Sequence, residues 1–81
     1  METRLAIIGI IIENREQASS VNSLLSSCGD YIRGRMGLPC DDREVSVISV
    51  VIDAPMDIIS ALSGKLGALQ GVSTKTVYSK K

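Results

Sequence analysis

Two stretches of the chain are apolar at nearly every position. Leu5 to Ile12 and Val45 to Ile52 are short and rich in β-branched residues, so each predicts a strand rather than a helix. The segments between and after them change period. Asn14 is placed as a helix N-cap, with Gln17 three residues on as a variant of the capping box. Ala18, Val21, Leu24, Leu25 and Cys28 then share one helical face, and Gly29 is expected to stop that helix in the left-handed region. Asp30 to Leu38 reads as a second strand, weakened by Gly34 and Gly37, and Pro39 to Arg43 as a polar turn. The third strand runs from Glu44 to Asp53. Ala54 and Pro55 open a second helix, with proline in the tolerated first turn and Ile59, Leu62, Leu66 and Leu69 as its buried stripe. Gly64 and Gly67 weaken its last turns by about 1 kcal/mol each relative to alanine. Val72, Thr74, Thr76 and Tyr78 alternate along a final strand.

The order is β-α-β-β-α-β, and the two apolar strands are offset by 40 residues. Right-handed crossovers turn this order into an α+β, ferredoxin-like sandwich. It is a four-stranded antiparallel sheet with both helices on one face, and residues 1–81 form a single domain. One sheet face is then bare, and a bare face in water calls for alternation. The first strand does not alternate: Leu5, Ile7 and Ile11 point one way, Ala6, Ile8, Ile10 and Ile12 the other. The third strand sets Val45, Val47 and Val51 against Ile48, Val50 and Ile52. Large apolar patches are rare on monomers, and symmetric self-association is the simplest cover. The expectation is a homo-oligomer, a dimer or tetramer, with Ile8, Ile10, Val47 and Val51 as interface candidates.

Length supports this. A domain of 81 residues buries only about 60% of its unfolded surface, and oligomerisation is one remedy. Nine basic residues balance nine acidic ones, which argues against direct nucleic-acid binding. The residues before Leu5 do not resemble a signal peptide, and the apolar runs are far short of a membrane span, so a cytoplasmic protein with no membrane partner is expected. In that compartment Cys28 and Cys40 are free thiols.

Most chemistries lack their residues. The chain has no histidine, which removes Ser/His and Cys/His pairs and weakens any zinc or nickel site. The loop Glu13 to Arg15 carries no Cys-x-x-Cys for metal transfer. There is no Phe or Trp to stack bases, and no phosphate loop. No enzyme activity, cofactor or metal is expected. What remains is Tyr31, Arg33 and Arg35, which by strand alternation share one face around Gly34. Two arginine forks beside a tyrosine suit a small anionic ligand or a partner protein's carboxylates. The plainer reading is an edge strand protected by charge. Asn14 joins the candidates, its plainer role being the cap.

Several segments carry a resemblance. They are Glu2 to Arg15, Asp30-Tyr-Ile-Arg-Gly-Arg-Met-Gly-Leu-Pro39, Ile48 to Pro55, Ser60 to Gly67 and Gly71 to Lys80. Together they resemble the iron-only hydrogenase system regulator family, small proteins found mostly in anaerobic bacteria. The resemblance implies an ACT-like fold, similar to the ligand-binding half of the nickel-responsive repressor, and a role linked to [FeFe]-hydrogenase expression or maturation. The repressor's nickel ligands include histidines, so nickel sensing is not carried over. No separate DNA-binding segment is seen, so operator binding is not expected. The combined expectation is a non-catalytic regulatory module that senses a small molecule or docks on a partner. The alternative is a purely structural or assembly subunit without ligand.

Overall fold

In a computed structural model of the chain, which describes residues 2–81, the elements follow the predicted order. Strand β1 is Arg4–Ile12, helix α1 Ala18–Ser27, β2 Ile32–Cys40, β3 Val45–Ala54, α2 Met56–Gly67 and β4 Val72–Tyr78. The sheet order is β2-β3-β1-β4, and the pairs β1/β3, β1/β4 and β2/β3 are all antiparallel. The two apolar strands are therefore the central ones.

Both helices lie on one face. Beneath them Ala6, Ile8, Ile10 and Ile12 of β1 meet Ile48, Val50, Ile52 and Ala54 of β3. Val21 and Leu25 of α1 and Ile59, Leu62 and Leu66 of α2 close over them. Burial alternates along β1 and, from Val47 on, along β3, although hydrophobicity does not. Which side is core is set by the helices' position, since either side is apolar enough to serve.

Several local expectations change. The first helix opens through a 3-10 turn, Arg15–Gln17, capped by Asn14, whose Oδ1 accepts from the Glu16 N–H at 3.1 Å. Gln17 itself makes no side-chain cap. Gly29 does not sit in the left-handed region; among the described glycines only Gly71 has a positive φ. Helix α1 instead runs into a 3-10 turn, Gly29–Tyr31, and the second strand starts at Ile32 rather than Asp30. Helix α2 continues through Gly64 to Gly67, where an added Cβ would stand in ordinary contact with Thr74 Oγ1 at 3.7 Å. The tight turn before β3 falls on Asp41–Arg43 and closes with Glu44 at φ 56°. Cys28 and Cys40 are free.

Asn14→Ala removes one cap from the entry of α1 and should cost about 1 kcal/mol. A urea titration followed by circular dichroism measures that loss.

Candidate functional site

The predicted arginine row is not formed. The β2/β3 register slips between Ile32 and Gly34: Ile32 faces Ile52, yet Gly34 faces Val51. Arg33 is the extra residue of this bulge, and a bulge reverses which side the following residues take. Arg33 consequently turns to the open sheet face, where its Nη2 donates to Asp53 Oδ2 at 2.8 Å. Arg35 lies on the helix side, where its Nη2 donates to Asn22 Oδ1 of α1 at 2.7 Å. Tyr31 is in the helical turn ahead of the strand and packs against the core. Gly34 has open space where a side chain would be. Asn14 is at the opposite end of the sheet, where Ile12 pairs with Ser46. There it is held by its cap and by Gly71, whose carbonyl accepts from the N–H groups of Glu13 and Asn14. The five ligand candidates therefore do not converge. The Arg33–Asp53 pair is largely exposed on the arginine side, so Arg33→Ala should change stability by less than about 1 kcal/mol. Denaturant midpoints of the two proteins check this.

The interface candidates also divide. Ile8 and Ile10 are 0% exposed, buried under the helices, and cannot reach a partner in the folded chain. Val47 and Val51 are on the open face. Their neighbours there are Leu5, Ile7 and Ile11 of β1, Met36 and Leu38 of β2, and Val77 of β4. Seven of these side chains, all but Val51, are 36–68% exposed. Sequence reasoning passed over Met36, Leu38 and Val77; period-2 spacing with Gly34 on β2, and the residues between Val72, Thr74, Thr76 and Tyr78 on β4, were the available signals.

Register orders this face into rows across the strands. One apolar row is Val51, Ile7 and Val77; another is Leu38, Val47 and Ile11. Between them runs a low row of Met36, Ser49, Gly9 and Lys75. With no side chain at Gly9, the face sinks there into an open hollow of about 510 Å³ bordered by Ile11, Val47, Ser73 and Lys75. Among the described residues no ion pair engages Lys75. No group of three or more potential metal ligands occurs among them, and no helix is long and apolar enough to cross a membrane.

The chain is similar to several solved structures. The uncharacterized protein TM1266 from Thermotoga maritima is 41% identical over 98% of this chain and 100% of that one, with a TM-score of 0.92. The ACT domain of GTP pyrophosphokinase from Chlorobium tepidum is 22% identical, covering 93% of this chain and 99% of that one, with a TM-score of 0.79. CPII, a nitrogen regulatory PII-like protein from Thiomonas intermedia K12 bound to ADP, AMP and bicarbonate, is 15% identical over 98% and 99% of the two chains, with a TM-score of 0.53. The last two show likeness of fold alone. No curated protein matches. The model of the TM1266-like family, described as "Iron-only hydrogenase system regulator, putative", matches residues 4–76. The fold is thus the expected ACT-like βαββαβ sandwich, and the chain belongs to the TM1266-like family.

Proposed function

We propose that this chain is a non-catalytic regulatory module of the iron-only hydrogenase system that works as a homo-oligomer and responds to a small ligand or a partner protein. The observation that carries the reading is the open face of the sheet. Its exposed side chains are mostly apolar, and at 36–68% exposure each forfeits about half of the roughly 1.5–3 kcal/mol that full burial gives. The family's description supplies the biological setting. The residue inventory favours binding over catalysis: there is no histidine, and the arginines nearest the predicted site already hold Asp53 and Asn22.

That same engagement of Arg33 and Arg35 favours a second reading, an assembly subunit without a small ligand. Thermal-shift screening against amino acids, nucleotides and simple organic acids distinguishes the two. A ligand of the folded state must raise the melting temperature, by an amount equivalent to about 2.7 kcal/mol at a hundredfold excess over Kd. A dose-dependent rise supports the sensor. A flat response across all three classes removes the small-ligand arm and leaves partner docking or the assembly subunit.

A further inference from the structure

The open face has the dimensions of an interface. Strands stand ~4.8 Å apart and rise ~3.3 Å per residue, so a four-stranded sheet with nine-residue strands projects on the order of 600 Å². That exceeds the roughly 500 Å² per partner, half of ~1,000 Å² in total, that a specific interface must clear. The charges on it are few and peripheral. Asp53 is neutralised by Arg33 at one end, and Lys75 lies on the outer strand β4. Such a face is self-complementary in character: apolar across the middle, with the charge of Lys75 confined to an outer strand.

The low row decides what the contact would leave behind. Face-to-face stacking of identical sheets needs a two-fold axis in the plane between them, either along the strands or across them. The row of Met36, Ser49, Gly9 and Lys75 lies between the two apolar rows. With the axis along the strands and near the centre of the face, Gly9 of each copy meets Ser49 of the other and Lys75 meets Met36; an axis across the strands would set Lys75 on Lys75, which disfavours it. Apolar rows on either side close the contact, with the sheets ~10 Å apart. Between them a slot is left at each Gly9, because neither glycine nor the facing serine spans half that gap.

We propose that two copies of this chain pack open face on open face, and that the slot between their facing Gly9 and Ser49 residues takes a small aliphatic acid, its carboxylate held by Lys75. The proposal rests on the homo-oligomeric reading above and adds the buried face and the class of ligand. Ile7, Ile11, Val47 and Val51 supply aliphatic walls beside the low row. Ser49 of the second copy brings a hydroxyl over the hollow at Gly9, which Ser73 and Lys75 line in the first, with the Lys75 ammonium at the mouth. The site is incomplete in one copy, where the hollow is open to water.

Sedimentation equilibrium on the full chain tests the face. Wild type should sediment at twice the 8.6 kDa chain mass. Ile11→Lys should be folded by circular dichroism and at least a hundredfold weaker in association; Met36→Asp, at the sheet edge, serves if the first variant does not fold. A folded variant that associates as tightly as wild type overturns the assignment of this face while leaving the homo-oligomer intact. A monomeric wild type overturns both. Calorimetric titration with hexanoate tests the slot. Gly9→Val fits the fold, since a Cβ there meets nothing nearer than the Lys75 carbonyl at 3.9 Å. Saturable binding to wild type, lost in a still-dimeric Gly9→Val and about tenfold weaker in Lys75→Ala, supports the slot. Absent binding by wild type, or undiminished binding by Gly9→Val, overturns it.

Discussion

Ile10→Ala should lower the unfolding free energy by roughly 2–5 kcal/mol, the range for truncating an isoleucine at a fully packed site. Ile10 has no exposed surface and sits at the middle of β1, among Ile8, Ile12 and Ile48 beneath the helices. The cavity cannot collapse easily, because the central strand is clamped by β3 on one side and β4 on the other. At roughly 4–8 °C per kcal/mol for a domain of this size, the melting temperature should fall by tens of degrees at fixed protein concentration. The neighbouring residue gives the contrast. Ile11 is 45% exposed on the other face, so in a Met36→Asp background, which keeps the chain single, Ile11→Ala should change the melt by only a few degrees. Paired melts of the two variants, followed by circular dichroism, check the assignment of faces. Equal losses would contradict it.

Gly71→Ala should be the most damaging substitution outside the core. Gly71 has φ +77°, and a Cβ built there would stand 2.6 Å from Asn14 Cβ. The left-handed conformation costs an alanine roughly 1–2 kcal/mol, and forcing the overlap apart adds roughly 1–3 kcal/mol more. The position matters because Gly71 joins two connections. Its carbonyl accepts from the Glu13 N–H at 2.7 Å, tying the loop after β1 to the one before β4. Replacing Asn14 with glycine in the same chain removes the nearest atom that Cβ would strike and leaves the backbone nitrogen of residue 14 at 3.1 Å. The double variant Asn14→Gly/Gly71→Ala should therefore recover most of the steric part of the loss but not the dihedral part. A double-mutant cycle in urea measures that coupling; purely additive losses would contradict the contact.

The architecture was legible in the sequence because each element declares itself locally. Two β-branched runs, two helical stripes and an alternating last strand leave few ways to assemble a β-α-β-β-α-β order. The doubly apolar central strands also made the open face legible in the sequence. Which side was which could not be read. Ile7 and Ile11 are as apolar as Ile8 and Ile10, and only the seating of α1 and α2 makes the second pair core. The predicted site failed for a different reason. Alternation carries Tyr31, Arg33 and Arg35 onto one face only if the strand is regular. The bulge ahead of Gly34 puts Arg33 with Asp53 and Arg35 with Asn22, on opposite faces. A glycine inside a strand is a recognised sign of such a bulge, so that signal was present. Gly9 was similarly visible as the one residue without a side chain in an otherwise aliphatic run. Its meaning appears only once Ser49 and Lys75 are set beside it by the register.

The most direct test of the account is native mass spectrometry of the wild-type protein, purified without added ligand. The open apolar face predicts an assembly at an even multiple of the 8.6 kDa chain mass, with the single chain a minor species. A spectrum dominated by the single chain at micromolar concentration would contradict the account, since the exposed row of Leu5, Ile7, Ile11, Met36, Leu38, Val47 and Val77 would then face only water.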